Sequence, residues 1–164
     1  MSGLTPETTG PDPIRALVVH EALSRAVAGD PHGGGMLLVP MLEEGRRSTW
    51  GLCCMLATAA MSLGEQQADG GMWVLEVENS ATGESGTPED MPPEVAFASR
   101  FAVAYANGDM DTAYAHFAAL SADVDTDAGE IRVIDGVLAL FLMATATARA
   151  LVDEQRNNPT QDKD

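Results

Sequence analysis

A chain of 164 residues with 45% apolar and only 5% aromatic side chains can bury one core, and that core has to be built from Ala, Leu, Val and Met, which helices pack at close range. Its 25 acidic residues against 9 basic give a formal charge of -16, which excludes a surface that works by clustering Lys and Arg on the phosphates of nucleic acid or of an anionic membrane. Eight of the basic residues are Arg and the one lysine is Lys163, a balance that reads as a GC-rich bacterial or phage coding bias.

Residues 1–11 are polar and Pro-rich and are expected to form a loose arm, with no basic stretch leading into an apolar one, so a cytoplasmic location is expected. Asp12 is placed to cap a first helix with Pro13 in its first position; Ala16, Val19, Leu23 and Val27 then recur at helical spacing until Gly29-Asp30-Pro31. His32-Gly33-Gly34-Gly35 reads as a flexible connection. A short helix is expected near Pro40 to Glu44, closed by Gly45. Ser48 or Thr49 can cap the next helix, which carries Trp50, Cys53, Cys54, Ala57 and Met61 on one side and Leu52, Leu56 and Leu63 on others, and is therefore expected at the centre.

The alternation of Trp73, Leu75 and Val77 with Val74, Glu76 and Glu78 predicts a half-buried strand after Gly70-Gly71. Such a strand needs a partner, which could be Met36 to Val39, a second copy of the chain or another protein. Residues 79–93 read as a long surface loop, after which Pro93 can open a helix with Val95, Phe97, Phe101 and Tyr105 on its apolar face. Asn107-Gly108 stops that helix and Asp109 caps the next, which carries Ala113, Phe117 and Leu120. Asp127 and Glu130, at capping-box spacing, predict a last helix from about Glu130 to Glu154 built on Val133, Val137, Leu140, Phe141 and Ala144. The apolar run Gly136 to Ala148 is shorter than a membrane span, so it and Ser48 to Gly64 read as buried core helices, and no membrane is expected as a partner. Residues 157–164 are expected to fray.

The fold expected from these elements is mostly α, a bundle of five or six helices spanning residues 12–156, with one short strand or small β element. Within it, Ala104 to Ala113 followed by Phe117 and Leu120 resembles the inner part of a tetratricopeptide repeat, over about one helix hairpin (residues 95–121). The resemblance implies a partner-binding scaffold; a second copy of the repeat is not found, so no solenoid is built from it.

Residues with chemical potential are scattered. Cys53 and Cys54 are adjacent, a spacing that forbids an ordinary disulfide, and sit among apolar neighbours, which marks them as buried structural thiols. Asp123, Asp125 and Asp127 alternate like the start of a calcium loop, yet Ala128 and Ile134 occupy the places of its glycine and glutamate. His20, His32 and His116 have no ligand spacing. Arg46-Arg47 at a helix start is the one concentrated basic spot and a weak anion-binding candidate.

The reading that follows is a non-enzymatic helical module that binds a protein partner or a second copy of itself as a homodimer, through Trp73, Leu75, Glu76, Val77 and Glu78, with no cofactor and no metal. A small-molecule or catalytic site near Trp50, Trp73 and Arg46-Arg47 is the alternative. A third reading is an acidic decoy that occupies the nucleic-acid site of a basic partner.

Overall fold

Local capping chemistry sets nearly every helix boundary in the computed structural model, which describes residues 12–65 and 90–158. In α1 (Pro13–Val27) the Asp12 carboxylate accepts a hydrogen bond from the Ile14 N–H at 3.0 Å and Pro13 fills the first position, as the sequence predicts. α3 (Val39–Glu43) takes Pro40 into its first turn, and α5 (Pro93–Ala106) opens on Pro93. α6 (Met110–Leu120) is capped by Asp109, which accepts from the Thr112 N–H at 3.1 Å. The preceding turns at Gly29, Gly45 and Gly108 have φ of 101°, 101° and 72°, the left-handed region in which only glycine is unstrained.

Four expectations need correction. His32 to Gly35 belong to a helix, α2 (Pro31–Met36), and are no flexible connection. Asp30 caps it by accepting from the Gly33 N–H at 2.8 Å, and Gly34 is buried where a Cβ would stand 2.3 Å from the Ala22 carbonyl oxygen and 3.1 Å from the Phe141 ring. The glycines therefore serve close approach of α2 to α1 and α7. Met36 to Val39 closes α2 and opens α3, so it offers no strand for pairing. α4 (Arg46–Glu65) begins ahead of Ser48 and Thr49; Thr49 donates its hydroxyl back to the Gly45 carbonyl at 3.1 Å within the first turn instead of capping. The last helix, α7 (Asp127–Asn157), is capped by Thr126, which accepts from the Gly129 N–H at 3.0 Å, and it runs beyond both predicted ends.

No strand occurs among the described residues. The strand expected over Trp73, Leu75, Glu76, Val77 and Glu78, the terminal segments 1–11 and 159–164, and most of the 79–93 loop lie outside them.

α4 and α7 form the central pair. α1 with α2 packs against this pair as one unit, and the α5–α6 hairpin packs as another, so the tetratricopeptide-like segment is built into the bundle. The interior joins Leu52, Cys53, Leu56 and Ala57 of α4 to Val137, Leu140, Phe141 and Ala144 of α7, with Ala22 and Ala26 from α1, Phe101 and Ala102 from α5, and Ala113 and Phe117 from α6. The central position expected of α4 is confirmed.

Two helical glycines of opposite role test this packing. Gly34→Ala forces a methyl group against backbone and is expected to cost about 1–3 kcal/mol. Gly51→Ala in α4, where an added Cβ meets nothing within 4 Å, is expected to gain about 0.5–1 kcal/mol. Denaturant unfolding monitored by circular dichroism reads both signs.

Candidate functional site

α4 carries Arg46 and Trp50 four residues apart, hence on one side of the helix, and both meet aromatic residues of the α5–α6 hairpin. The Trp50 ring stands edge-on to Phe101 at 5.6 Å, to Tyr114 at 5.5 Å and to Phe117 at 5.3 Å. Phe97 and Tyr105 extend the cluster through Phe101, at 5.5 and 6.2 Å. The Arg46 guanidinium lies over the Phe117 ring, 5.7 Å from its centroid. Trp50, expected near a ligand site, is thus half-buried and engaged on three sides in packing.

Arg46 also lines a groove of about 530 Å³ between α3, α4, α6 and α7, while its sequence neighbour Arg47 does not. Three carboxylates, Glu43, Asp125 and Glu130, share that groove with the single guanidinium. Attraction of an anion by Arg46 and the α4 N-terminus is therefore opposed on the same walls. Ser48 in the first turn of α4 is buried, and its hydroxyl has no hydrogen-bond partner among the described residues.

An exposed apolar line along α7 was not anticipated. α7 buries Val133, Val137, Leu140, Phe141 and Ala144 on one face and exposes Ile131 (57%), Ile134 (43%), Leu138 (44%) and Leu142 (49%) on another. Their spacing of three, four and four residues places these four on one line along the helix. Apolar hollows flank this ridge on both sides. One, of about 320 Å³, is formed with Met36, Leu38, Val39 and Leu42; the other, of about 620 Å³, with Val95 and Met143. The expectation that Gly136 to Ala148 sits in the core holds for half of the helix circumference only. The signal was in the sequence: α7 carries two apolar periodicities side by side, where one suffices for burial. Among the described residues α7 is also the one helix long and apolar enough to cross a membrane, although 39% of its most apolar 18-residue window is buried in the bundle.

The remaining sequence candidates do not converge. Cys53 is buried and Cys54 half-buried, both as free thiols, and the Thr58 hydroxyl donates to the Cys54 carbonyl at 2.9 Å. Burial drives the Cys54 thiol up to about 11, partly offset by Tyr105, and drives Cys53 higher still, reinforced by its neighbour. Asp109 is held below its ordinary value by the Thr112 hydroxyl and N–H that it caps, and His116 is held low by desolvation and by Arg100. Asp123 gives one carboxylate oxygen to Arg132 at 2.9 Å and its carbonyl to the Thr126 hydroxyl at 2.8 Å, the arrangement of a capping turn. No three His, Cys, Asp or Glu residues among those described are grouped to hold a metal ion.

Comparison with protein-family models, with curated proteins and with solved structures finds no match.

The thiols supply a direct check on the packing of α4 against α5. With its ionisation displaced from about 9 to about 11, Cys54 holds about a hundredfold less thiolate near neutral pH than a free cysteine. Because a more basic thiolate is also the better nucleophile, Ellman's reagent at pH 8 is expected to react with the native protein at least about tenfold more slowly than with the protein in denaturant, and faster as pH rises. Free-thiol rates in the native state would contradict this burial.

Proposed function

We propose that this chain is a helical interaction module whose working surface is the outward face of α7, presented to a protein partner. The observation that carries the reading is the line Ile131, Ile134, Leu138 and Leu142, exposed on a helix whose adjoining face already fills the core. Each of these Leu and Ile side chains is about half exposed, so a covering surface would recover roughly 1 kcal/mol of transfer free energy from each. Contiguous exposed apolar surface of this kind marks interaction sites in soluble proteins.

The sequence reading gave the contact to Trp73, Leu75, Glu76, Val77 and Glu78, which lie outside the described residues. The reading here keeps the function class and moves the surface. Two elements support it: the α5–α6 hairpin supplies one wall of the face through Val95, and α2 with α3 supplies the other through Met36 and Leu42. The ridge and both of its flanks therefore form one apolar relief.

The double substitution Ile134→Ser and Leu138→Ser tests this. Both side chains are exposed, so stability should change by no more than about 1 kcal/mol and the helical spectrum should stay the same. Affinity copurification from the native cell with the wild-type chain is expected to bring down partners that the double variant loses. Recovery of the same proteins by both chains would count against the α7 face.

A further inference from the structure

We infer that the α7 face takes an apolar helix of a different protein whose flanks carry Lys or Arg; the inference rests on reading α7 as an interaction face. The ridge from Ile131 to Leu142 spans about 16 Å along the helix axis, three turns. Hollows beside it, one along Ile134 and Leu138 and one along Leu138 and Leu142, match the shape onto which an amphipathic helix lays its anchors at i, i+3 or i+4, and i+7.

The charge around that shape selects the occupant. Glu94 and Asp135 border the hollow on the α5 side, and Glu43, Asp125 and Glu130 border the groove at the ridge's N-terminal end. None of these five forms an ion pair with a basic side chain among the described residues. Arg132 pairs with Asp123 at 2.9 Å, and Arg46, over the Phe117 ring, offsets one of the three carboxylates of its groove and leaves the lining net acidic. A second copy docked by two-fold symmetry would bring the same acidic rims into one contact, in a chain whose formal charge is -16. An anionic lipid surface meets the same repulsion. Lys or Arg beside the apolar stripe of an incoming helix turns it into attraction.

The test uses the full chain and a fluorescein-labelled peptide of about 18 residues made of Leu and Lys in amphipathic register, with a Leu and Glu peptide of the same pattern as its counterpart. Anisotropy at physiological salt should show saturable one-to-one binding of the Leu/Lys peptide only. Ile134→Ser with Leu138→Ser, and independently Leu142→Ser, should each weaken it at least about tenfold, the loss of one buried anchor. Glu94→Gln with Asp135→Asn should weaken it several-fold, while Glu21→Gln with Asp111→Asn, an equal change of charge on α1 and α6, should leave it unaltered. Those results support the inference.

Equal binding of both peptides, lost in the serine variants, overturns the basic preference and leaves the α7 reading standing. Light scattering that shows a wild-type dimer and a monomeric Ile134→Ser/Leu138→Ser variant assigns the face to a second copy and overturns the inference. Cosedimentation with phosphatidylcholine/phosphatidylglycerol vesicles, abolished by the same variant, assigns it to a membrane and also overturns it. A photo-crosslinker at position 138 that joins only residues 66–89 of its own chain does the same in favour of an internal occupant. Peptide binding indifferent to the serine substitutions, or no binding in any arm, overturns the inference and the α7 reading together.

Discussion

The packing of α7 against α4 is the contact on which the rest of the bundle depends. It is the most extensive helix contact among the described residues and includes small buried side chains, Ala57 and Ala60 on α4 and Ala144 on α7. Small residues let two helix backbones approach closely, and the approach is close enough for a polar cross-link, in which the Thr147 hydroxyl donates to the Ala60 carbonyl at 2.8 Å. Arg149 adds a donor from α7 to the Ala26 carbonyl on α1 at 3.2 Å, so one helix ties the centre to the first flank through backbone acceptors. The seam fixes the spacing of everything laid on top of it.

An interior of alanine and leucine leaves the few aromatic residues to do a different task. Six of them, Phe97, Phe101, Tyr105, Tyr114, Phe117 and Trp50, gather where the α5–α6 hairpin meets the first turns of α4, while Phe141 stands apart under the glycines of α2. The hairpin thus rests on α4 through wide, directional ring contacts, and α2 rests on α7 through backbone held almost against a ring. Each arrangement exploits a size extreme. The aromatic cluster fills space that alanines cannot, and Gly34 vacates space that any side chain would claim.

How much of this could be read from the sequence follows from the range of the forces involved. Asp12, Pro13, Pro93, Gly108 and Asp109 act within one turn of where they stand, and those boundaries are legible residue by residue. α2 was not legible, because glycine is a poor helix former and the reason for Gly34, the close approach of the Ala22 backbone, is tertiary. Thr126 outcompeted Asp127 as cap by a difference of one residue, below what a spacing rule resolves. For the candidate site the limit is different. Helical periodicity shows that Ile131, Ile134, Leu138 and Leu142 share a face, yet it cannot say whether a neighbour covers that face. Only the placement of α2, α3 and α5, set by the seam, leaves it open. The same placement separates Arg46 from Arg47, which the sequence joins, and puts the former among carboxylates.

An exposed apolar ridge carries a hazard of self-association, and the distribution of charge bears on it directly. Acidic residues border the ridge and the chain as a whole is strongly acidic, so two copies that approach face to face meet repulsion before apolar contact can form. Repulsion between exposed charges decays over about 8 Å at physiological salt, which is comparable to the width of a helix and so acts at the distance where a docking surface is chosen. On the proposed reading, the acidic rim and the apolar ridge work as one device. Hydrophobic burial supplies affinity without discriminating among helices, whereas the rim discriminates without supplying much affinity, and only a surface that is both apolar and basic-flanked satisfies the two at once.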